Sequence, residues 1–168
     1  MRVIEYDRNK AIGYAKKWAY SRNKKYLDFE NIGGDCTNFI SQCIYEGSKV
    51  MNYTKGLGWY YINGNNKSPS WTGVEFLYEF LVNNKGVGPF GKEVEQEKIE
   101  LGDIIQLSFD GKKFSHSLIV VRIEKNNSLD NIRIATHSFN SYDKKVSDYI
   151  YEKTVSYTHL TLPTNSRV

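Results

Sequence analysis

Few side chains in this 168-residue chain can do covalent or acid–base chemistry near neutral pH: two cysteines, Cys36 and Cys43, and three histidines, His116, His137 and His159. Cys36 is set apart by its context, GGDCTNFISQC, in which two glycines and Asp35 precede a run with helical apolar spacing. A cysteine in the first turn of a helix faces the partial positive charge of unpaired N–H groups, which favours the thiolate. Lowering a thiol pKa by about two units takes ~2.7 kcal/mol. A helix end supplies roughly 0.3–1 kcal/mol, about 2 in favourable cases. A nucleophilic Cys36 therefore needs a second group beside it, and an imidazole is the usual one. Cys43 lies two turns further along, ~10 Å away by helix rise and beyond disulfide reach. It reads as a free core thiol.

His116 opens an apolar strand pattern, HSLIVVRI, and His137 closes the next, IRIATH. If these strands form an antiparallel hairpin, the start of one lies beside the end of the other, and the two imidazoles share one rim of the sheet. The expected constellation is then Cys36 as nucleophile, His116 as proton shuttle and His137 as the group that fixes the tautomer of His116. The N–H of Cys36 offers one oxyanion donor. Asp35, Trp59 and Trp71 are candidate substrate contacts, the indoles belonging to an aromatic stretch that suits a peptide or sugar groove. Each residue also has a structural reading. A helix cysteine packs as a small hydrophobe, a strand-end histidine is often structural, Asp35 can be an N-cap, and the indoles can cover the core. A zinc site finds no support, since neither C-x-x-C nor H-E-x-x-H spacing occurs. No cofactor or metal is expected.

The elements that must position these groups are legible as patterns. Residues 7–22 carry Ala11, Tyr14, Ala15, Trp18 and Ala19 on one helical face, with Asp7 as N-cap. A second helix spans 36–45, with Gly47 as its stop. Thr72 and Glu75 form a T-x-x-E capping box for a third, running to residue 84. Short strands are expected at 104–109, 115–123, 132–137 and 150–155, with Asp110-Gly111 as a hairpin turn. Helices first and an antiparallel sheet second make an α+β fold. The chain is long enough for a single core. Its formal net charge of +4 is spread over scattered lysines, which argues against a nucleic-acid partner and leaves a weak pull toward an anionic surface such as a bacterial wall. No stretch has the length of a membrane span, and the first residues lack a secretory signal. As given, the chain reads as a cytoplasmic monomer, or as a cell-wall or spore-associated piece of a longer protein.

The segments YDRNKAIGYAKKWAYSRN, IGGDCTNFISQC, GWYYINGNNKSPSWTGVEFLYEFLVNNKGVGPFG, LGDIIQLSFDGKKFSHSLIVV and IRIATHS together resemble the Putative amidase domain family of Gram-positive bacteria. That family is distantly related to NlpC-type cell-wall peptidases and CHAP amidases. The resemblance implies a papain-like cysteine peptidase fold over residues 1–156. It places Cys36, His116 and His137 at the positions of nucleophile, base and polar third residue, and it implies a peptide or peptidoglycan amide as substrate. Family members usually finish with a further strand where this chain reads SYTHLTLPTNSRV; residues 157–168 look like an appended or disordered tail. Two other readings use the same residues: acyl transfer of the transglutaminase type by the Cys/His pair, and a non-catalytic wall-binding module built on the aromatic loop.

Overall fold

Alternation along the central strands sorts their side chains into two cores, one on each face of an antiparallel sheet. The computed structural model describes residues 3–150, 156–161 and 165–167. Its elements are β1 (Val3–Glu5), α1 (Arg8–Trp18), α2 (Cys36–Ser48), β2 (Tyr61–Asn63), β3 (Asn66–Lys67), α3 (Pro69–Thr72), α4 (Val74–Asn83), β4 (Gly88–Pro89), β5 (Lys92–Val94), β6 (Ile104–Ser108), β7 (His116–Ile123), β8 (Ile132–Thr136), β9 (Ser141–Lys145), α5 (Ser147–Ile150), β10 (Ser156–Thr161) and β11 (Asn165–Arg167). Six strands pair in the order β5-β10-β6-β7-β8-β9, every pairing antiparallel. The architecture is α+β, as the sequence pattern requires.

On β7, Ile119 and Val121 face the helical side, where they meet Phe39, Ile40 and Ile44 of α2, the alanines of α1, and Leu77 and Leu81 of α4. Leu118 and Val120 face the other way and join Ile105, Leu107, Ile132, Ile134 and Tyr149. Ala11, Ala15 and Ala19 recur every four residues and are fully buried; the small stripe lets α1 lie close against α2. Gly47 serves the same contact, for a Cβ there would stand 2.4 Å from the Tyr6 ring and 2.8 Å from the Asp7 carbonyl oxygen. It does not end the helix, which runs to Ser48 and stops at Lys49 in a left-handed conformation.

Other boundaries differ from the sequence expectation for identifiable reasons. Asp7 caps α1 through the Lys10 N–H, whereas the Thr72/Glu75 capping box does not form. Pro69 starts a separate turn, Gly73 is the N-cap of α4, and the Glu75 carboxylate is drawn away to the N–H of Phe114. The polar strand β9 carries no alternation in its sequence, SYDKK, and forms because the turn after β8 returns it to pair. Of the expected strand at 150–155, residue 150 ends α5 and the rest lies outside the described residues. The backbone of Ser156–Thr161, read from sequence as mostly tail, lies between β5 and β6. Among the described residues no helix is long and apolar enough to cross a membrane.

Trp59 and Trp71 are fully buried, 4.8 Å apart between ring centroids. Their indole N–H groups donate to Ser41 Oγ and Asn38 Oδ1 on α2, both at 3.0 Å. The loop and α3 are thus pinned to the helix that carries Cys36. Trp71→Ala should lower stability by about 3–5 kcal/mol, the cost of removing a large buried ring, as read from urea denaturation at constant m-value.

Candidate active site

Two consecutive glycines bring the chain into α2. Gly33 and Gly34 have φ of 97° and 102°, values that side-chain-bearing residues seldom adopt. The Asp35 N–H then donates to Ser138 Oγ at 2.9 Å, tying the helix entry to the turn after β8. Cys36 is the first residue of α2 and 7% exposed. Behind its sulfur runs a line of buried polar side chains. Thr37 Oγ1 lies 3.8 Å from Sγ and 3.1 Å from Ser117 Oγ, and Gln106 Nε2 reaches Ser117 Oγ at 3.3 Å. Burial pushes the Cys36 thiol above its ordinary pKa and the Asp35 carboxylate adds to the rise, while the Ser117 N–H and the Thr37 N–H and hydroxyl oppose it. The helix end does not outweigh desolvation here, in keeping with its being too weak on its own, and the resting group is a thiol.

His116 is 6% exposed at the start of β7, flanked by Phe109 and Tyr149. Burial, and after it the Lys144 ammonium, pull its imidazole down to about 4. It rests neutral at physiological pH. Its Nε2 lies 3.5 Å from Thr136 Oγ1. That hydroxyl has two carbonyl acceptors, Ser117 O and His137 O, each at 2.9 Å. Its single proton goes to one of them, which leaves the oxygen as an acceptor for His116 Nε2–H. The other nitrogen, Nδ1, then carries the lone pair that a base needs.

His137 does not hold His116. Its Nδ1 lies 2.5 Å from Asp35 Oδ2 and its Nε2 2.8 Å from the Trp18 carbonyl oxygen, and its ring stacks on Phe39 at 4.0 Å. A carbonyl only accepts, so Nε2 donates to Trp18, while Nδ1 is taken up by the Asp35 carboxyl. Both nitrogens are spent. The reason lies in the sheet. Ile119 pairs with Ala135, and continuing that register sets His116 across from position 138 and diagonal to 136. Residues 136 and 138 share its face and 137 takes the opposite one.

Asp35 is fully buried and has no cap bond of its own. Its carboxylate accepts from Phe29 N at 2.9 Å, Asn38 Nδ2 at 2.8 Å and His137, and lies 3.4 Å from Arg22 Nε. It is an anchor inside the protein. Trp59 and Trp71, likewise expected at a groove, belong to the core. Cys36 and His116 both line one cavity of about 490 Å³ at the sheet rim, with Gly33, Gly34, Ser115, Ser138, Phe109, Phe139, Tyr149 and Lys144. A second cavity of about 520 Å³, between α4 and the 52–58 loop, has neither thiol nor imidazole in its lining. Among the described residues no group of three His, Cys, Asp or Glu side chains is placed to hold a metal ion. Thr136 and Lys144 were missed in the sequence. Thr136 could have been found by counting faces along β8; Lys144 could not, because its facing depends on a bulge.

Two measurements follow. The unfolded chain protonates His116 below about pH 6.5, and the folded chain resists until about 4. Stability should therefore be full above pH 6.5 and fall by about 3 kcal/mol as the pH drops through that window. Urea titrations should show His116→Gln to lack this component. Iodoacetamide should modify Cys36 before Cys43, since Cys43 is fully buried with its thiol held well above the usual range; peptide mapping that finds equal rates would remove Cys36 from consideration.

Comparison with known proteins now gives these groups a context. Residues 5–160 match the family described as Putative amidase domain. The chain is 32% identical over 160 residues to Uncharacterized protein YhbB of Bacillus subtilis (strain 168), an alignment covering 94% of this chain and 48% of that protein. It thus spans about half the length of this curated relative. No solved structure matches. The family's name points to amide hydrolysis, and the chain belongs to the Putative amidase domain family.

Proposed function

We infer that this domain is a cysteine-dependent amide hydrolase of papain-like architecture, acting on peptide bonds of the bacterial cell wall. The observation that carries the reading is the cavity at the sheet rim, which holds a helix-start thiol and a neutral imidazole and buries both. In the proposed reaction Nδ1 of His116 takes the thiol proton as Sγ attacks the amide carbon. The oxyanion that forms meets the Cys36 N–H at the N-terminus of α2. The imidazolium returns the proton to the departing amine as the C–N bond breaks, leaving a thioester. Water then attacks the thioester with His116 again as base, and release of the acid restores the thiol. Thr136 keeps Nε2 protonated and so keeps the lone pair on Nδ1. A thiol above its ordinary pKa and an imidazole below its own, lining one cavity, favour this order, in which proton transfer accompanies attack.

Support for a wall substrate comes from the sequence resemblance to cell-wall peptidases and from the mild positive charge. The test is incubation with purified peptidoglycan and mass spectrometry of released fragments, run with and without added amine to separate hydrolysis from acyl transfer. Cys36→Ala should release nothing. Thr136→Val should lower kcat several-fold to about tenfold at unchanged KM, the loss of roughly one neutral hydrogen bond. The acid limb of kcat/KM should lie at about pH 4. Undiminished release by Cys36→Ala would refute the assignment.

A further inference from the structure

The cavity contains one charged side chain beyond its reacting pair, and the fold is distorted to put it there. The β8–β9 ladder pairs Ala135 with Tyr142 but Ile134 with Lys144. Asp143 is the extra residue of a β-bulge and sits at φ 64°, a left-handed conformation that costs a side-chain-bearing residue free energy. Without the bulge, Lys144 would lie opposite Arg133 and point away from His116. With it, Lys144 lies opposite Ile134, on the face shared by Thr136 and His116. Arg122 holds the bulge in place, since its Nε and Nη2 donate to the two carboxylate oxygens of Asp143 at 2.8 and 2.6 Å. The same pair occupies the carboxylate beside Lys144 in the chain.

The ammonium thus reaches the cavity without an acidic partner. Lys144 Nζ stands 4.1 Å over the Tyr149 ring, and among the described residues it takes part in no ion pair, while the cavity lining includes no Asp or Glu. A cation placed there also disfavours protonation of His116, which works against the base unless a negative charge arrives with the substrate.

We propose that Lys144 is a specificity residue that binds a carboxylate of the substrate, so that the amide cleaved lies next to an acidic residue or a free chain terminus. The assignment rests on the Cys36–His116 cavity being the substrate site. It deepens the hydrolase reading by naming what the site selects: peptides with an anionic group beside the scissile bond. The bound carboxylate would offset the ammonium and restore basicity to His116 when substrate is present.

The experiment measures binding in a Cys36→Ala background, so that it does not depend on turnover. N-acetyl-Ala-Glu and its neutral isostere N-acetyl-Ala-Gln-amide are titrated by calorimetry. The acidic peptide should bind roughly ten- to a hundredfold more tightly, the range for a charged hydrogen bond. Lys144→Met should abolish the difference, and Lys144→Glu should reverse it toward N-acetyl-Ala-Lys-amide. Lys145→Met removes an equal charge from the neighbouring position and should leave the preference intact. Equal binding of the two peptides, no binding of either, or the same loss in Lys145→Met would overturn the proposal, the last by tracing the preference to net charge. Wild-type protein given purified peptidoglycan tests the chemistry separately: preference without fragment release keeps the carboxylate site and rejects hydrolysis, and release without preference does the reverse.

Discussion

The buried carboxylate of Asp35 is the interaction on which the rest of the site depends. Its partners come from three separate stretches of chain: the Phe29 N–H and the Arg22 guanidinium from the connection between α1 and α2, the Asn38 amide from α2, and the His137 ring from the turn after β8. A carboxylate taken out of water costs several kcal/mol unless its lone pairs are filled, and here each partner fills part of that need. The consequence is geometric. The residue directly before Cys36 cannot move without breaking contacts to the sheet rim and to the connection between α1 and α2 at once. Asn38 extends the arrangement outward, accepting from Trp71 Nε1 and donating to Asp35, so the core indoles bear on the placement of the thiol without touching it.

Sheet alternation is the second constraint, and it separates what the sequence discloses from what it conceals. The Gly-Gly-Asp-Cys helix start, the strands β6 to β8 and the rim position of both histidines follow from residue type and spacing. Which face each histidine takes does not. Facing depends on register, and a one-residue change turns every side chain over. His116 and His137 are neighbours along the rim and yet belong to opposite cores, one beside Tyr149 and the other stacked on Phe39. The T-x-x-E signature misleads for a similar reason, since Glu75 finds its donor in Phe114, 39 residues away. Local chemistry proposes a partner there and tertiary structure supplies another.

The protonation pattern is the outcome of burial acting on two groups in opposite senses. Desolvation disfavours the charged form of each, raising the thiol and lowering the imidazole. A preformed thiolate–imidazolium pair would require both shifts to run the other way. The polar line through Thr37, Ser117 and Gln106 does not reverse them. Its Thr37 and Ser117 donors only moderate the rise.

Strain is gathered at the open edge of this cavity. The four-residue turn 137–140 carries positive φ at Ser138 and Phe139, and the bulge carries it at Asp143; such conformations cost of order 1–3 kcal/mol each when the residue has a side chain. Each has a positional effect. Ser138 is left facing the Asp35 N–H, Phe139 stands 88% exposed at the cavity mouth, and Asp143 turns Lys144 inward. The bulge thus sets what the edge strand presents to the cavity it borders. A polar five-residue segment with little apolar pattern in its sequence ends up fixing which charge faces the cavity lined by Cys36 and His116.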